Sequence, residues 1–255
     1  MKGEIIYARQ WLQTLKPVVQ ERTGITLDEI VVKSMREFPW FSANDYSNVL
    51  MFVNRADCCK NAIFVNGNNY KEKGAGTIPL HVAHELSHLI HYEIIKEQVD
   101  KIRLPIYERW KMTIYENESF MEGFAEYLSI DYLAGADSWV DRLAEIRKRK
   151  FNLYEEANYI PIPKPVSYRG YKFFEKVLDV IGKDKVLEVA RAPPLCELEM
   201  KNPLLYIVRR YPIKGIKNIP KFAVNNIREK MRKRNEEEYR RARILKKGET
   251  HLYSD

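Results

Sequence analysis

Four of the five histidines in this 255-residue chain lie within eleven residues, at positions 81, 84, 88 and 91. On an α-helix, which turns by about 100° per residue, these four side chains share an arc of about 80°. Residues His84, Glu85 and His88 belong to the sequence HELSH, an HExxH pattern. Histidines four residues apart on a helix can ligate one zinc ion, and the Glu after the first can reach a water molecule at the metal. The pattern therefore predicts a zinc site with ligands His84 and His88 and with Glu85 as general base for hydrolysis.

A catalytic zinc ion usually has three protein ligands and one open position, so a third ligand is needed. The HELSH helix does not supply it, because Ile94 stands where a longer three-histidine form of the motif has its last histidine. His81 and His91 are expected to hydrogen-bond behind the ligands or to face solvent. If either closed the site as a fourth ligand, the zinc would be structural.

Acidic residues recur further along the chain in the segment ENESFMEGFAEYLS, residues 116–129. Glu118, Glu122 and Glu126 follow one another at intervals of four and so lie on one face of a helix. Such a stripe is typical of a solvated helix face. The apolar residues among the three glutamates instead indicate a buried helix, so any of the three could complete the zinc site.

The two segments together, HELSH followed by MEGFAEYLS, resemble the gluzincin zinc peptidases. The resemblance implies a zincin-like fold, Zn²⁺ as the cofactor and Glu122 as the third ligand. It also implies that Glu126 orients a ligand histidine, and Gly123 would let two helices approach closely. His88 and Glu122 are 34 residues apart and Met replaces the usual Asn before Glu122. The resemblance is therefore more specific for metal ligation than for substrate class.

A third segment, VSYRGYKFFEKVLDVIG at residues 166–182, is similar to the region where aminopeptidase-type gluzincins place a tyrosine that stabilises the transition state. The similarity implies that Tyr168 donates to the oxyanion, with Tyr171 as the second candidate. No exopeptidase segment of the GxMEN type precedes the HELSH helix. We therefore expect a zinc-dependent peptidase, of endopeptidase type, that acts on peptides or unfolded proteins.

Other interpretations remain open. A regulatory metalloprotease of the ImmA/IrrE type also pairs HExxH with a Glu-bearing helix and would cleave one specific protein. Residues 221–250 carry eleven basic and five acidic residues, a net +6 of the total +8. A basic C-terminal helix could therefore bind nucleic acid beside a structural zinc, although its alternating charges also fit a solvated helix. In a further hypothesis, the tail with His251 folds back over the site.

Hydrophobic periodicity and turn residues predict the elements that position these side chains. Helices are predicted at residues 4–21, 77–96, 118–133, 138–150, 168–181, 185–191 and 220–247, with Thr77 as the N-cap of the HELSH helix. Strands are predicted at residues 29–34, 48–54 and 61–66, the last two as a hairpin. The expected fold class is α+β, with a small N-terminal sheet beside the active-site helix and a mainly helical C-terminal subdomain. The expected divisions are residues 1–76 for the sheet portion, 77–192 for the catalytic core and 193–255 for a basic helical extension.

Composition excludes several classes of protein. Apolar types make up 45% of the chain, which is enough for a hydrophobic core. No apolar run approaches the roughly 18 residues of a membrane span, and the N-terminus lacks the pattern of a signal peptide, so a cytoplasmic protein is expected. Three cysteines, two of them adjacent, cannot form a disulfide framework. The sequence gives no indication of the oligomeric state.

Overall fold

The computed structural model describes residues 2–37, 51–54, 61–68, 70, 74–100, 118–156, 165–195 and 197–212. The predicted helix at residues 220–247, and with it most of the basic tail and His251, lies outside the described residues. Contacts between Cα atoms divide the chain into two compact units, Met1–Pro203 and Leu204–Asp255. All of the candidate ligands and catalytic residues named above belong to the first unit.

The first unit combines helices with one small sheet. In chain order, its elements are α1 (Lys2–Thr23), β1 (Ile30–Ser34), β2 (Met51–Asn54), β3 (Asn61–Val65), α2 (Ile78–Asp100), α3 (Glu118–Tyr127), α4 (Ser138–Glu156), α5 (Val166–Ile181), α6 (Val186–Ala190) and α7 (Glu197–Lys201). Single 3₁₀ turns occur at Met35–Glu37, Ala75–Thr77 and Lys183–Lys185, and a π-helical segment at Leu128–Tyr132. A further helix, α8 (Pro203–Arg210), begins at the last residue of this unit.

The described strands form a mixed sheet in the order β1-β3-β2. The central strand β3 pairs in parallel with β1 and antiparallel with β2, so that Ile63 lies between Val32 and Val53. The pairing predicted for the hairpin of β2 and β3 is thus confirmed. All five residues of β3 are buried, as expected for a strand that is covered on both faces.

The six predicted helices that fall within the described residues are found in place, with ends that differ by up to six residues. Helix α1 stops at Gly24, whose φ of 67° only glycine adopts easily and whose N–H donates to the carbonyl of Gln20 at 2.8 Å. Helix α2 follows directly from the turn at Ala75–Thr77. The hydroxyl of Thr77 therefore donates to the carbonyl of Gly74 at 3.3 Å, rather than accepting a helix N–H as predicted.

Helix α3 does not remain α-helical to the predicted end at residue 133. From Leu128 it continues as a π-helix, in which the N–H of Leu133 donates to the carbonyl of Leu128 at 2.9 Å. In this segment Asp131 accepts hydrogen bonds from Lys148 Nζ at 2.6 Å and from the Tyr171 hydroxyl at 2.7 Å. One carboxylate thus links the end of the α3 helix to both α4 and α5.

Helices α3 and α5 cross in backbone contact at Gly123 and Gly170. A Cβ atom added at Gly170 would lie 2.6 Å from the Cα of Gly123 and would overlap the carbonyl oxygen of Ser119. Rings that are at most 1% exposed pack around this crossing, from Phe120, Phe124, Phe173 and Phe174. The sequence predicted that Gly123 permits a close approach of helices, and its partner is α5.

Reciprocal hydrogen bonds join α1 to the turn after the π-helical segment. Arg22 Nη1 donates to the carbonyls of Tyr132 at 2.9 Å and Ala134 at 2.7 Å. The Tyr132 hydroxyl donates back to the carbonyl of Arg22 at 2.7 Å. The first helix is therefore fixed to the segment that follows α3.

The described part of the chain is mostly helical with one small sheet, so the predicted α+β class is confirmed at that level. Within this part, every helix is too short or too polar to cross a lipid bilayer.

Candidate metal centre

His84 and His88 lie one turn apart on α2, opposite an apolar face that fixes the helix against the core. On that face Val82, Leu86 and Ile90 are fully buried. The two imidazole rings lie side by side, with centroids 4.7 Å apart and planes at 83°. The helical placement of the HELSH motif, predicted from its spacing, is therefore confirmed.

Glu122 of α3 completes the group. His84 Nε2 lies 3.3 Å from Glu122 Oε2, and His88 Nε2 lies 3.4 Å from Glu122 Oε1. The two Nε2 atoms are 3.0 Å apart. Within the described residues, these three side chains are the group that could hold a metal ion, with ligand atoms within 4.8 Å of one another. The structure thus brings together the three ligands expected from the sequence and leaves Glu118 and His91 outside the group.

The three side chains fit a divalent metal in both donor type and spacing. In a tetrahedral site with bonds of about 2.0–2.2 Å, neighbouring donors lie roughly 3.3 Å apart, close to the separations of 3.0, 3.3 and 3.4 Å found here. Two imidazole nitrogens with one carboxylate suit zinc and other transition metals better than calcium or magnesium. The Glu122 side chain is 34% exposed, so a small molecule can reach the group.

The two histidines share the carboxylate of Glu122. Burial alone would lower the pKa of His84, but the hydrogen bond and charge of Glu122 outweigh it and raise the pKa to about 9. Burial alone would raise the pKa of Glu122, and the hydrogen bonds from both histidines instead hold it far below its usual range. The carboxylate of Glu122 therefore favours a positive charge at this position.

Glu85 is 6% exposed and has Tyr70 as a neighbour that the sequence analysis did not identify. Burial, and after it the charge of Glu85, raise the pKa of Tyr70 well above its usual value. The Tyr70 hydroxyl lies 2.8 Å from His81 Nδ1. Burial, followed by the charges of His84 and Arg147, lowers the pKa of His81 to about 3, so the ring is neutral. Nδ1 of His81 is thus hydrogen-bonded to Tyr70.

His91 is a core residue rather than a ligand. It is 5% exposed, and its Nε2 donates to the carbonyl of Ala190 at 3.3 Å. Its ring packs against Phe120 and Phe124, with centroids at 5.8 and 4.9 Å. Burial, and then the charge of His88, lower its pKa to about 4. Neither His81 nor His91 joins the metal group, which has no fourth ligand among the described residues.

Arg147 of α4 is a charged neighbour of the site that sequence reasoning missed. Its Nη2 forms an ion pair with Glu126 Oε1, and its Nε donates to Glu126 Oε2 at 3.3 Å. Burial would lower the pKa of Arg147, but the charge and hydrogen bond of Glu126 raise it. The residue belongs to the run IRKRK, in which no periodic signal separates an inward arginine from its solvated neighbours.

The predicted role of Glu126 was to orient a ligand histidine. Its carboxylate is hydrogen-bonded to Arg147, and Nδ1 of His88 is buried without a hydrogen-bond partner among the described residues. The charge of Glu126 does contribute to the raised pKa of His84, after that of Glu122. The orienting role therefore stays a prediction.

Tyr168 and Tyr171 lie in the first turns of α5 and are 5% and 1% exposed. The ring of Tyr168 contacts those of Phe151 and Tyr154 in α4, at centroid distances of 5.6 and 5.8 Å. The Tyr171 hydroxyl donates to Asp131, and burial together with this hydrogen bond raises its pKa. The hydrogen bond of Tyr171 to Asp131 occupies the hydroxyl of the second candidate. The role of Tyr168 as oxyanion donor stays a prediction.

Comparison with known proteins gives no match, whether to family models, to curated proteins or to solved structures. The description of the site therefore rests on the side chains that could bind a metal. They are two histidines from one helix and one glutamate from another, within an α+β fold.

Proposed function

We propose that this protein is a zinc-dependent peptidase with a zincin-like catalytic core of the gluzincin type, and that it cleaves within peptides or unfolded proteins. The observation that carries the proposal is the convergence of His84 Nε2, His88 Nε2 and the Glu122 carboxylate, at 3.0 to 3.4 Å. Zn²⁺ is the proposed metal because two imidazoles and one carboxylate form a donor set of catalytic zinc sites.

The number of ligands supports a catalytic rather than a structural metal. Structural zinc sites use four protein ligands, whereas catalytic sites use three and leave one position open. In the described part of the chain, the other two histidines of α2 are hydrogen-bonded to Tyr70 and to Ala190. Three protein ligands therefore remain for the metal.

The proposed reaction is hydrolysis of a peptide bond. When bound, Zn²⁺ acts as a Lewis acid that makes water a better nucleophile near neutral pH and polarises the carbonyl. Glu85 accepts the proton of the attacking water and delivers it to the nitrogen of the leaving amine. Because Glu85 is 6% exposed, little bulk water competes for that proton. Tyr168 is the proposed donor to the oxyanion.

The experiment compares zinc-loaded wild type with zinc-loaded Glu85→Gln on a pool of unstructured peptides, with products identified by mass spectrometry. The substitution removes the proton carrier but no metal ligand. We expect one zinc per chain in both proteins and a loss of turnover of at least about 100-fold in the variant. Internal cuts by wild type alone would support an endopeptidase, whereas equal cleavage by both proteins would contradict the mechanism.

If neither protein cuts the pool although each holds one zinc, general peptidase activity is wrong. A regulatory protease with one specific protein substrate, or a nucleic-acid-binding protein with a metal site, would then be favoured. Titration with DNA and RNA at several salt concentrations separates these two, because contacts with phosphates give a steep salt dependence.

A further inference from the structure

Two carboxylates lie one turn apart on α3, but only one of them faces the histidines. The oxygens of Glu122 lie 3.3 and 3.4 Å from the imidazole Nε2 atoms, whereas those of Glu126 bond to Arg147. Because they are four residues apart on the helix, the two carboxylates lie on the same face of α3. A carboxylate is a competent ligand for the metals that this group suits, so Glu126 must be held away if the site is to keep an open position.

The geometry points to Arg147 as the positioning residue that holds Glu126 away from the metal and keeps the site at three protein ligands. This inference rests on the proposed metal site and adds to it a residue outside the ligand set. Both hydrogen bonds of the Arg147 guanidinium go to the carboxylate of Glu126.

The contacts of Arg147 leave Glu126 little freedom. Nη2 and Nε engage the two carboxylate oxygens separately, an arrangement that fixes both the position and the plane of the carboxylate. The guanidinium carbon lies 5.2 Å from the centroid of the Phe151 ring, and that ring is 1% exposed and packed against Tyr168 and Tyr171. The guanidinium is thus fixed by an aromatic ring that is itself held in the core.

The ion pair between Arg147 and Glu126 should affect how tightly the site binds a metal. The Glu126 side chain is 4% exposed, so Arg147 neutralises a buried carboxylate close to a cation site. Without Arg147, Glu126 would attract the metal more strongly and would be free to occupy its open position. Removal of Arg147 should therefore tighten zinc binding while slowing turnover. A general loss of structure would instead weaken zinc binding and slow turnover together.

The test measures zinc affinity by competition with a chromophoric chelator, and the visible absorption of the Co²⁺-substituted protein, whose bands shift when a carboxylate replaces a water ligand. For Arg147→Met, we expect affinity to rise about tenfold or more, the Co²⁺ absorption bands to shift and kcat to fall. For Glu126→Gln, affinity should fall, because the charge of Arg147 is then unbalanced. The double variant removes both charges and should bring affinity and absorption back towards wild type.

Lys148→Met is the matched control. It removes the next residue of α4, whose Nζ lies 2.6 Å from Asp131 Oδ1, and Asp131 keeps its hydrogen bond from Tyr171. The control should leave zinc affinity and Co²⁺ absorption unchanged. An Arg147→Met protein with weaker zinc binding and wild-type absorption would overturn the inference.

If Arg147→Met alone does not fold, the double variant is compared with Glu126→Gln. Tighter zinc binding by the double variant supports the role of Arg147, and equal or weaker binding overturns it. Neither metal readout depends on peptidase activity. A wild-type protein that binds no metal would overturn both this inference and the proposed function. If wild type binds zinc normally, a negative result with the Arg147 variants overturns only the role of Arg147.

Discussion

Gly123 and Gly170 touch through their backbones where α3 crosses α5, so no side chain separates the two helices at that point. Both glycines adjoin residues of the candidate site. Glu122 precedes Gly123, and Tyr168 lies two residues before Gly170. The spacing of the two helices therefore fixes the backbone that carries Glu122.

Gly170→Ala should force α3 and α5 apart. Its Cβ would lie 2.6 Å from the Cα of Gly123 and would overlap the carbonyl of Ser119, and backbone atoms cannot rotate away as a side chain can. We expect a loss of about 1–3 kcal/mol or more in the free energy of unfolding, measured with urea, together with weaker zinc binding.

Gly3→Ala is the matched control for that substitution, because a Cβ at Gly3 in α1 meets no atom within 4 Å. Alanine in a helix is favoured over glycine by up to roughly 1 kcal/mol. The control should therefore be as stable as wild type or slightly more so. A Gly170→Ala protein as stable as this control would show that the helices do not cross so closely.

Glu122→Gln should abolish tight zinc binding while leaving the fold intact. The neutral amide replaces the carboxylate that faces both Nε2 atoms at 3.3 and 3.4 Å. We expect zinc affinity to fall by more than about 100-fold, beyond the range for residues that only orient ligands. Zinc content after dialysis, measured by mass spectrometry, checks this.

Glu118→Gln changes an exposed glutamate one turn earlier on the same face of α3 and serves as the comparison. It should keep one zinc per chain. Retention of zinc in Glu122→Gln with loss in Glu118→Gln would move the third ligand to Glu118.

His91→Gln should alter how stability depends on pH, because it removes a titrating side chain but keeps an N–H donor for the carbonyl of Ala190. Folding lowers the pKa of His91 from 6.5 to about 4. As pH falls, the unfolded chain therefore binds a proton first, and stability present above pH 6.5 is lost towards pH 4. The slope is at most about 1.4 kcal/mol per pH unit.

Urea unfolding of the metal-free proteins at several pH values between about 7.5 and 4.5 measures this effect. The shift of His81 is common to wild type and variant and cancels in their difference. The advantage of wild type over His91→Gln should shrink as pH falls. A difference that stays constant across this range would mean that His91 does not carry the shift.

The sequence predicted the parts of the site that depend on local spacing. His84, Glu85 and His88 follow from a repeat within one helix, and α2 presents them as expected. Glu122 lies 34 residues beyond His88, and only resemblance to a family singled it out from its neighbours on α3. The contact between Arg147 and Glu126 could not be predicted, because the two residues are 21 positions apart and residues of both types usually lie on the surface.

The fold shows the same division between local and distant interactions. Periodicity located α1 to α5 and the three described strands, but it did not predict the parallel pairing of β1 with β3, which depends on packing beyond either segment. The π turn at Leu128–Tyr132 departs from the 3.6-residue repeat that predicts helices. The short helix at Glu197–Lys201 has too few residues to show a period.

The hydrogen bonds between Arg22 and Tyr132 join segments that the ribosome makes at different times. At about 5–20 residues per second, the 110 residues between them take roughly 5–20 s to synthesise. Throughout that interval, Arg22 lacks the carbonyl acceptors of Tyr132 and Ala134. Other contacts of α1 can form much sooner, since Arg9 Nη2 donates to the carbonyl of Val32 at 2.9 Å and Lys16 Nζ to that of Asp28 at 2.8 Å. Synthesis therefore separates the docking of α1 into two stages, and the second must wait until residue 134 has been made.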